Sequence, residues 1–356
     1  MLAPFLWTGL EYFRSEVYFL RFSWLNAGYA FFDSPQLPTL ARLGVYGIGF
    51  ALMAAVGMLA LIPRKAVLPV GGALLVALGL GVNLPASPAS APGVAFKEIR
   101  VAGVQLEFPN EREVLVALNA LHQKHPEAEL LLLSEYTFDG PVPELIKAWC
   151  RKHQRHLVAG GKEPAGDSNY FNTAFVVGPD GRIVFQQVKA MPIQFFKDGL
   201  PAREQKLWDS PWGKLGVCIC YDLNYRRVTD ELIRQGAQAL IVPTMDVAEW
   251  GENQHRQHAR VAPVRAAEYG VPIFRLCSSG ISQLVERDGR VVADAPFPGE
   301  GEVIAGILAI RGPGLLPADR WLAPACLWIT ALLSAWLVLT AFRKQRLTST
   351  NPAPSR

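Results

Sequence analysis

Apolar residues run almost without interruption at the two ends of this chain and alternate with polar ones between them. Residues 44–62 and 66–82 are two uncharged stretches separated by Pro63-Arg64-Lys65. Two apolar stretches around a short basic loop predict a helical hairpin with that loop in the cytoplasm. Residues 1–31 are also aromatic and apolar but carry Glu11, Arg14, Glu16 and Arg21. Charges inside a crossing segment are costly, so this stretch reads either as a third membrane helix or as an interfacial one. It has neither the basic start nor the cleavage site of a signal peptide. Residues 321–342 form the last apolar stretch, long enough to span, with Arg343, Lys344 and Arg346 behind it. Both basic clusters belong inside, which puts residues from about 95 to 315 on the outer side. The expected divisions are a membrane region (1–83, about three helices), a Pro/Ala/Ser linker (84–95), a layered domain (96–313), a transmembrane helix (321–342) and a cytoplasmic tail (343–356).

Within the middle region the period changes. Strand-length apolar runs at 99–106, 130–134, 171–177, 182–188, 215–222 and 239–242 alternate with helical spacing at 110–125, 228–236 and 253–268. Such alternation predicts an α/β layered domain. Asn110 with Glu113 forms a capping-box-like helix start. Asp180-Gly181 and Asp288-Gly289 mark hairpin turns. Pro263 should kink the helix that contains it.

Composition narrows the partners. Half of the 356 residues are hydrophobic and the net charge is only +4. No basic stripe interleaved with aromatics is present, so nucleic acid is not an expected partner. The five cysteines show no CxxC pair. Cys218 reads as a core residue on the same side as Cys220 while the strand lasts, and a disulfide involving Cys150 or Cys277 stays open. His255 and His258 have no companions at metal-ligand spacing and read as a solvated or hydrogen-bonded helix face.

Three reactive side chains fall at or just past strand ends: Glu135, Lys189 and Cys220. A soft nucleophile, a carboxylate base and a cation suit acyl transfer through a thioester. The surrounding residues carry a resemblance. They are Leu132-Leu133-Ser134-Glu135, Asn172-Thr173-Ala174 through Asp180-Gly181 to Lys189, and Ile219-Cys220-Tyr221-Asp222. Together they resemble the nitrilase (carbon–nitrogen hydrolase) superfamily. Gly44-Val45-Tyr46-Gly47, Gln257-His258-Ala259-Arg260 and Gly280-Ile281-Ser282, framed by membrane segments, resemble its apolipoprotein N-acyltransferase branch.

That resemblance implies an αββα sandwich inserted between N-terminal and C-terminal transmembrane helices, in the inner cell membrane with the catalytic domain on the periplasmic side. It implies Glu135 as general base, Lys189 as oxyanion and thiolate stabiliser, and Cys220 as nucleophile, with Tyr221, Asp222 and Trp250 near substrate or the oxyanion. The acyl donor would be a phospholipid. The acceptor would be the N-terminal diacylglyceryl-cysteine of a lipoprotein. No metal or organic cofactor is implied. The chain departs from the branch in three ways. By that resemblance it would begin partway through the usual membrane bundle. The loop after Lys189 lacks the second glutamate, with Asp198 the one acid near its place. Asp222 stands where Glu is usual. These departures keep two alternatives open: a membrane-tethered amidase with water as acceptor, and a non-enzymatic membrane partner.

Overall fold

The computed structural model describes residues 2–32, 38–63, 65–66, 69–72, 97–166 and 168–349. Most of the expected second membrane stretch (66–82), the linker (84–95) and the end of the tail lie outside these residues.

Alternation along the strands dictates the layers. In β1 (Lys97–Val104), β2 (Leu130–Leu132), β3 (His156–Pro164) and β4 (Tyr170–Val177), successive side chains face opposite ways. Ile99, Val101, Leu130, Leu132, Val158 and Val176 enter the core shared with the second sheet. Ala102, Val104, Leu131, Leu157 and Phe175 instead meet Leu118 of α3 (Glu111–Lys124) and Ile146 of α4 (Glu144–His153). With β5 (Ile183–Val188) and β12 (Val303–Ile310), the first sheet runs β12-β1-β2-β3-β4-β5. The second runs β11-β10-β9-β8-β7-β6. Its strands are β6 (Leu207–Ser210), β7 (Gly213–Val217), β8 (Ala239–Thr244), β9 (Ile273–Cys277), β10 (Ser282–Val285) and β11 (Val291–Ala295). Both sheets have a parallel centre and antiparallel edges. Helices α5 (Arg226–Arg234), α6 (Glu252–Ala259) and α7 (Val261–Tyr269) pack on the second sheet side. The parallel strands aim their C-terminal ends at one rim, where chemistry collects.

Local signals held where they were strong. Asn110 Oδ1 accepts from Arg112 N (3.0 Å) and Glu113 N (3.1 Å), while Glu113 Oε2 accepts from Asn110 N (2.8 Å), a complete capping box. The 253–268 helix breaks at Arg260, just ahead of Pro263, because proline has no N–H to donate to the carbonyl four residues back and its ring crowds that carbonyl. The 215–222 strand is shorter than expected: it stops at Val217, and residues Cys220–Asn224 form a 3-10 turn. All five cysteines are buried free thiols.

Among the described residues, two helices are long and apolar enough to cross a membrane, at Leu40–Leu61 and Asp319–Arg343. They belong to α2 (Pro38–Leu61) and α8 (Asp319–Ser349). The 1–31 stretch does not form a helix of that length. It folds as the ten-residue α1 (Ala3–Tyr12), a π turn (Phe13–Val17) and a 3-10 turn (Ala27–Phe31). Its acids are turned inward: Glu11 Oε1 accepts from Ala27 N (3.3 Å), and Glu16 Oε1 accepts from Tyr46 Oη (3.2 Å) and Arg226 N (3.3 Å).

Gly44 breaks α2 with φ +73°, a conformation that other residues adopt only under strain. The break exposes backbone donors at a new helix start. Val45 N donates to Glu268 Oε1 (3.2 Å) and Tyr46 N to Asp319 Oδ2 (3.0 Å). Arg320 then binds Glu268 (2.8 Å), Asp319 (2.6 Å) and Asp230 (2.6 Å), and Arg265 pairs with Glu268. This buried junction fastens both long apolar helices to the sandwich. It also reaches the site, since Arg265 donates to the carbonyls of Leu223 (3.1 Å) and Asn224 (2.6 Å).

Candidate active site

Five strand ends build the site. Glu135 follows β2, with its backbone so close to β3 that a Cβ at Gly160 would sit 2.5 Å from Glu135 Cα. Asn172 lies in β4, Lys189 follows β5, Cys220 follows β7 and Met245 follows β8. Asp198 arrives from the loop after Lys189.

The ammonium of Lys189 lies 2.7 Å from Glu135 Oε1 and 2.7 Å from Asp198 Oδ2. Asn172 Nδ2 donates to the same two carboxylates, at 2.6 and 2.9 Å. Met245 N donates to the other Glu135 oxygen at 2.8 Å. Asp198 also accepts from Tyr136 Oη and Ile193 N, each at 2.7 Å. All three charged groups are buried. Burial raises the Glu135 carboxyl against the pull of Lys189, and Asp198 raises it further. Asp198 is lowered despite its own burial, because Lys189, Tyr136 and Ile193 N favour its charge. Burial would neutralise Lys189, but Glu135, Cys220 and Asp198 overrule it and hold its pKa well above the usual lysine range. Of two carboxylates around one cation, Glu135 is therefore the one poised to exchange a proton.

Cys220 sits at φ +50°, a left-handed conformation that costs about 1–3 kcal/mol for such a residue. The turn is braced by Asp222, whose carboxylate accepts from Ile219 N (3.1 Å), Ala190 N (3.0 Å) and Met191 N (2.7 Å). The brace ties the cysteine turn to the segment after Lys189. Burial lifts the Asp222 carboxyl to about 6. The Cys220 thiol is pushed up by burial and by Glu135, and pulled back by Lys189. Its sulfur lies 3.7 Å from the Met245 carbonyl.

Above these groups opens a cavity of about 530 Å³, walled by Glu135, Lys189, Met245, Ile193, Phe196 and Trp250 among others. Phe196 and Trp250 pack with ring centres 6.2 Å apart. Exposed aromatic and charged residues mix at the rim: Phe108 is 68% exposed and Phe196 61%, with Glu107, Lys197 and Glu249 beside them.

Glu135, Lys189 and Trp250 line one cavity; Cys220 and Tyr221 are absent from its wall, and Cys220 adjoins Glu135 through Met245, whose N–H donates to the carboxylate and whose carbonyl faces the sulfur. The structure gives Asp222 a different position from the one expected: fully buried, bonded to three backbone amides and absent from the cavity wall. Tyr221 turns its hydroxyl to the carbonyl of Arg21 at 3.0 Å, so its side chain faces the N-terminal region. Asp198, the acid in the loop after Lys189, meets both Lys189 and Asn172. Asn172 opens the Asn172-Thr173-Ala174 motif, but its double donation depends on two carboxylates far away in sequence.

His255 and His258 are buried rather than solvated. Cys220, Asp246 and His258 bring a sulfur, an oxygen and a ring nitrogen within 4.8 Å of one another. Such a set can hold a cation. Here the Arg275 guanidinium already lies 2.7 Å from Asp246 Oδ2 and 2.9 Å from His258 Nδ1, and a metal ion there would meet a fixed positive charge.

Comparison with known proteins agrees with this fold. The carbon-nitrogen hydrolase family pattern matches residues 97–309, and the apolipoprotein N-acyltransferase N-terminal domain pattern matches residues 1–58. The apolipoprotein N-acyltransferase of Geobacter metallireducens is 24% identical over 83% of this chain and 65% of its own length. That of Azotobacter vinelandii is 25% identical over 98% of this chain and 74% of its own. The chain therefore spans about two thirds to three quarters of these relatives. A Saccharomyces cerevisiae member of branch 10 of the nitrilase superfamily shares the fold, with TM-score 0.51 at 22% identity over 60% of this chain and 90% of its own. The chain belongs to the carbon–nitrogen hydrolase (nitrilase) superfamily, in its apolipoprotein N-acyltransferase branch.

Proposed function

We propose that this chain is a membrane-bound N-acyltransferase that moves a fatty acyl group from a phospholipid, through a thioester on Cys220, to the N-terminal amine of a diacylglyceryl-cysteine lipoprotein. The observation that carries the proposal is the Glu135–Lys189 pair in a cavity that Phe108, Phe196 and Trp250 help to line, with Cys220 adjoining Glu135 through Met245, in a chain aligned over most of its length with acyltransferases.

Glu135 takes the thiol proton of Cys220, and the thiolate attacks the ester carbonyl of the donor. Lys189, with the backbone N–H of Tyr221, faces the oxyanion. The glycerol oxygen leaves with the proton from Glu135. In the second half the acceptor amine attacks the thioester, Glu135 takes the amine proton, and the thiol is restored. Phe108, Phe196 and Trp250 supply an apolar approach suited to an acyl chain. The domain at 96–313 works on the outer face of the inner membrane, held by the helices at Leu40–Leu61 and Asp319–Arg343.

The amidase alternative has less support. The deaminated glutathione amidase of Dictyostelium discoideum aligns with only 44% of this chain, over 62% of its own length. Purified protein supplied with phospholipid and a diacylglyceryl-cysteine peptide should yield the N-acylated peptide and lysophospholipid in equal amounts. Ammonia release from small amides without peptide acylation would overturn the proposal.

A further inference from the structure

The nucleophile has a second set of buried polar neighbours that the reaction above does not use. Its centre is Asp246. The backbone just before it touches both reacting groups: Met245 N donates to Glu135 and the Met245 carbonyl faces Cys220. Nearly everything around Asp246 holds it still. Its carboxylate meets Arg275 Nη2 at 2.7 Å and His258 Nδ1 at 2.8 Å, and Cys277 Sγ lies 3.7 Å away. Its backbone N–H donates to Ser278 Oγ (3.1 Å), and its carbonyl accepts from that hydroxyl (3.0 Å) and from Ser279 N (3.2 Å). Gly280 is the residue that permits this approach, since a Cβ there would lie 2.7 Å from the Asp246 side chain. Arg275 is anchored from behind on the Ile281 carbonyl at 2.6 Å. Asp246 and Arg275 are wholly buried.

The network has one outlet toward the membrane region. The Trp24 ring stacks on His258 with centres 4.9 Å apart and planes 18° apart. Trp24 belongs to the segment that also takes the hydroxyls of Tyr221 and Tyr225 on the Arg21 carbonyl, and whose Ser23 Oγ donates to Asn224 O (3.4 Å). The N-terminal region therefore leans on the cysteine turn from one side and on His258 from the other.

We propose that Asp246, Arg275 and His258 are positioning residues that fix the Met245 segment between base and nucleophile, and that Trp24 makes this geometry depend on the docked N-terminal region. The arrangement also has an electrostatic consequence. The sulfur of Cys220 lies within 4.8 Å of donor atoms of Asp246 and His258, both of which meet Arg275, and it also feels the charges of Glu135, Lys189 and Asp198. Arg275 offsets the charge that Asp246 would otherwise present to the sulfur. Deleting the arginine alone should disfavour the thiolate. Deleting both charges should not.

The proposal builds on the thioester reading, so its test uses a readout that needs no lipid. Alkylation of Cys220 by iodoacetamide is followed against pH in the full-length protein, with Cys150, Cys218, Cys277 and Cys326 resolved by peptide mapping. Arg275→Met should move the alkylation midpoint to higher pH, and Asp246→Asn with Arg275→Met should bring it back. A merely structural role predicts no such reversal. Trp24→Ala should leave the midpoint in place but lower kcat for acyl transfer about a hundredfold with KM nearly unchanged, the scale of a small misplacement of reacting groups. Trp24→Phe should recover most of that loss. An unmoved midpoint in Arg275→Met, no reversal in the double variant, or equal changes in kcat and KM for Trp24→Ala would overturn the proposal. If peptide acylation fails in the unmodified protein while the alkylation shifts appear, the lipid reading has failed and the positioning of Cys220 has not.

Discussion

Two buried ionic clusters lie in this molecule, and they are built for opposite ends. At the junction with the long apolar helices, Asp230, Glu268 and Asp319 face Arg226, Arg265 and Arg320, backbone amides take up further oxygens, and each acid has a guanidinium within ion-pair distance. At the rim of the sheets, two carboxylates share the single cation Lys189, a strained cysteine stands beside them, and a cavity opens above. Matched charges with each carboxylate oxygen bonded hold a structure together. An unmatched carboxylate beside a thiol leaves a proton free to move. Both clusters contain strongly shifted groups, so the shift alone does not separate them; the accessible space and the surplus acid do.

Variants on either side of this contrast should behave differently. The largest effect falls on Cys220→Ala, which should lower acyl transfer by about 10⁴-fold or more, with the melting midpoint little changed. Lys189→Met comes next: losing the oxyanion donor should cost about 10²–10³ in kcat, and the stranded Glu135 and Asp198 should also lower stability. Circular dichroism melts alongside turnover would separate the two losses. A Lys189→Met protein with normal turnover would erase the contrast.

Glu268→Gln should show the reverse pattern. Breaking one partner of a buried ionic network costs about 3–5 kcal/mol, while turnover per folded molecule should persist. The pH dependence sharpens this. Against burial, Arg320 and Arg265 hold Glu268 down to about 2, from the ordinary 4.5. A depressed carboxylate contributes stability that is complete above pH 4.5 and drains away as pH falls toward 2. Acid titration of the melting midpoint should lose that component in Glu268→Gln. Glu135 works in the other direction. Its carboxyl is raised by burial, and a base must be ionised, so kcat/KM should rise with pH along an acidic limb centred above 4.5. A limb at or below that pH would contradict the role of Glu135. The smallest effect is expected at the rim: Phe196→Ser should raise KM for phospholipid a few-fold and leave kcat and alkylation of Cys220 unchanged, read from initial rates against donor concentration.

Much of this was legible in the sequence because it was local. The period-two runs, the Asn110–Glu113 cap, the two Asp-Gly turns and the Pro263 break each depend on neighbours a few residues away. The three reactive residues were legible because each follows a strand-length apolar run, Glu135 and Cys220 behind strands with parallel partners and Lys189 behind the antiparallel edge strand β5. What was hidden depended on contacts between distant segments. Cys220 leaves the strand early because Asp222 ties it to amides after Lys189, some thirty residues before. Asp198 looked like a substitute of uncertain register until its carboxylate met Lys189. His255 and His258 lie on a helix whose polar residues suggested solvent, yet Phe297 stacks on the first and Trp24 on the second. The N-terminal stretch carried too many acids for a span, and the fold buries them against α2 and α5.

The most direct measurement is the intact mass of the purified protein after exposure to phospholipid alone. Acyl transfer through Cys220 predicts an added mass equal to one fatty acyl group, mapped to Cys220, removed by neutral hydroxylamine and discharged when the peptide acceptor is added. An unmodified mass with every donor headgroup and chain length tried, or an adduct that persists in Cys220→Ala, would contradict it.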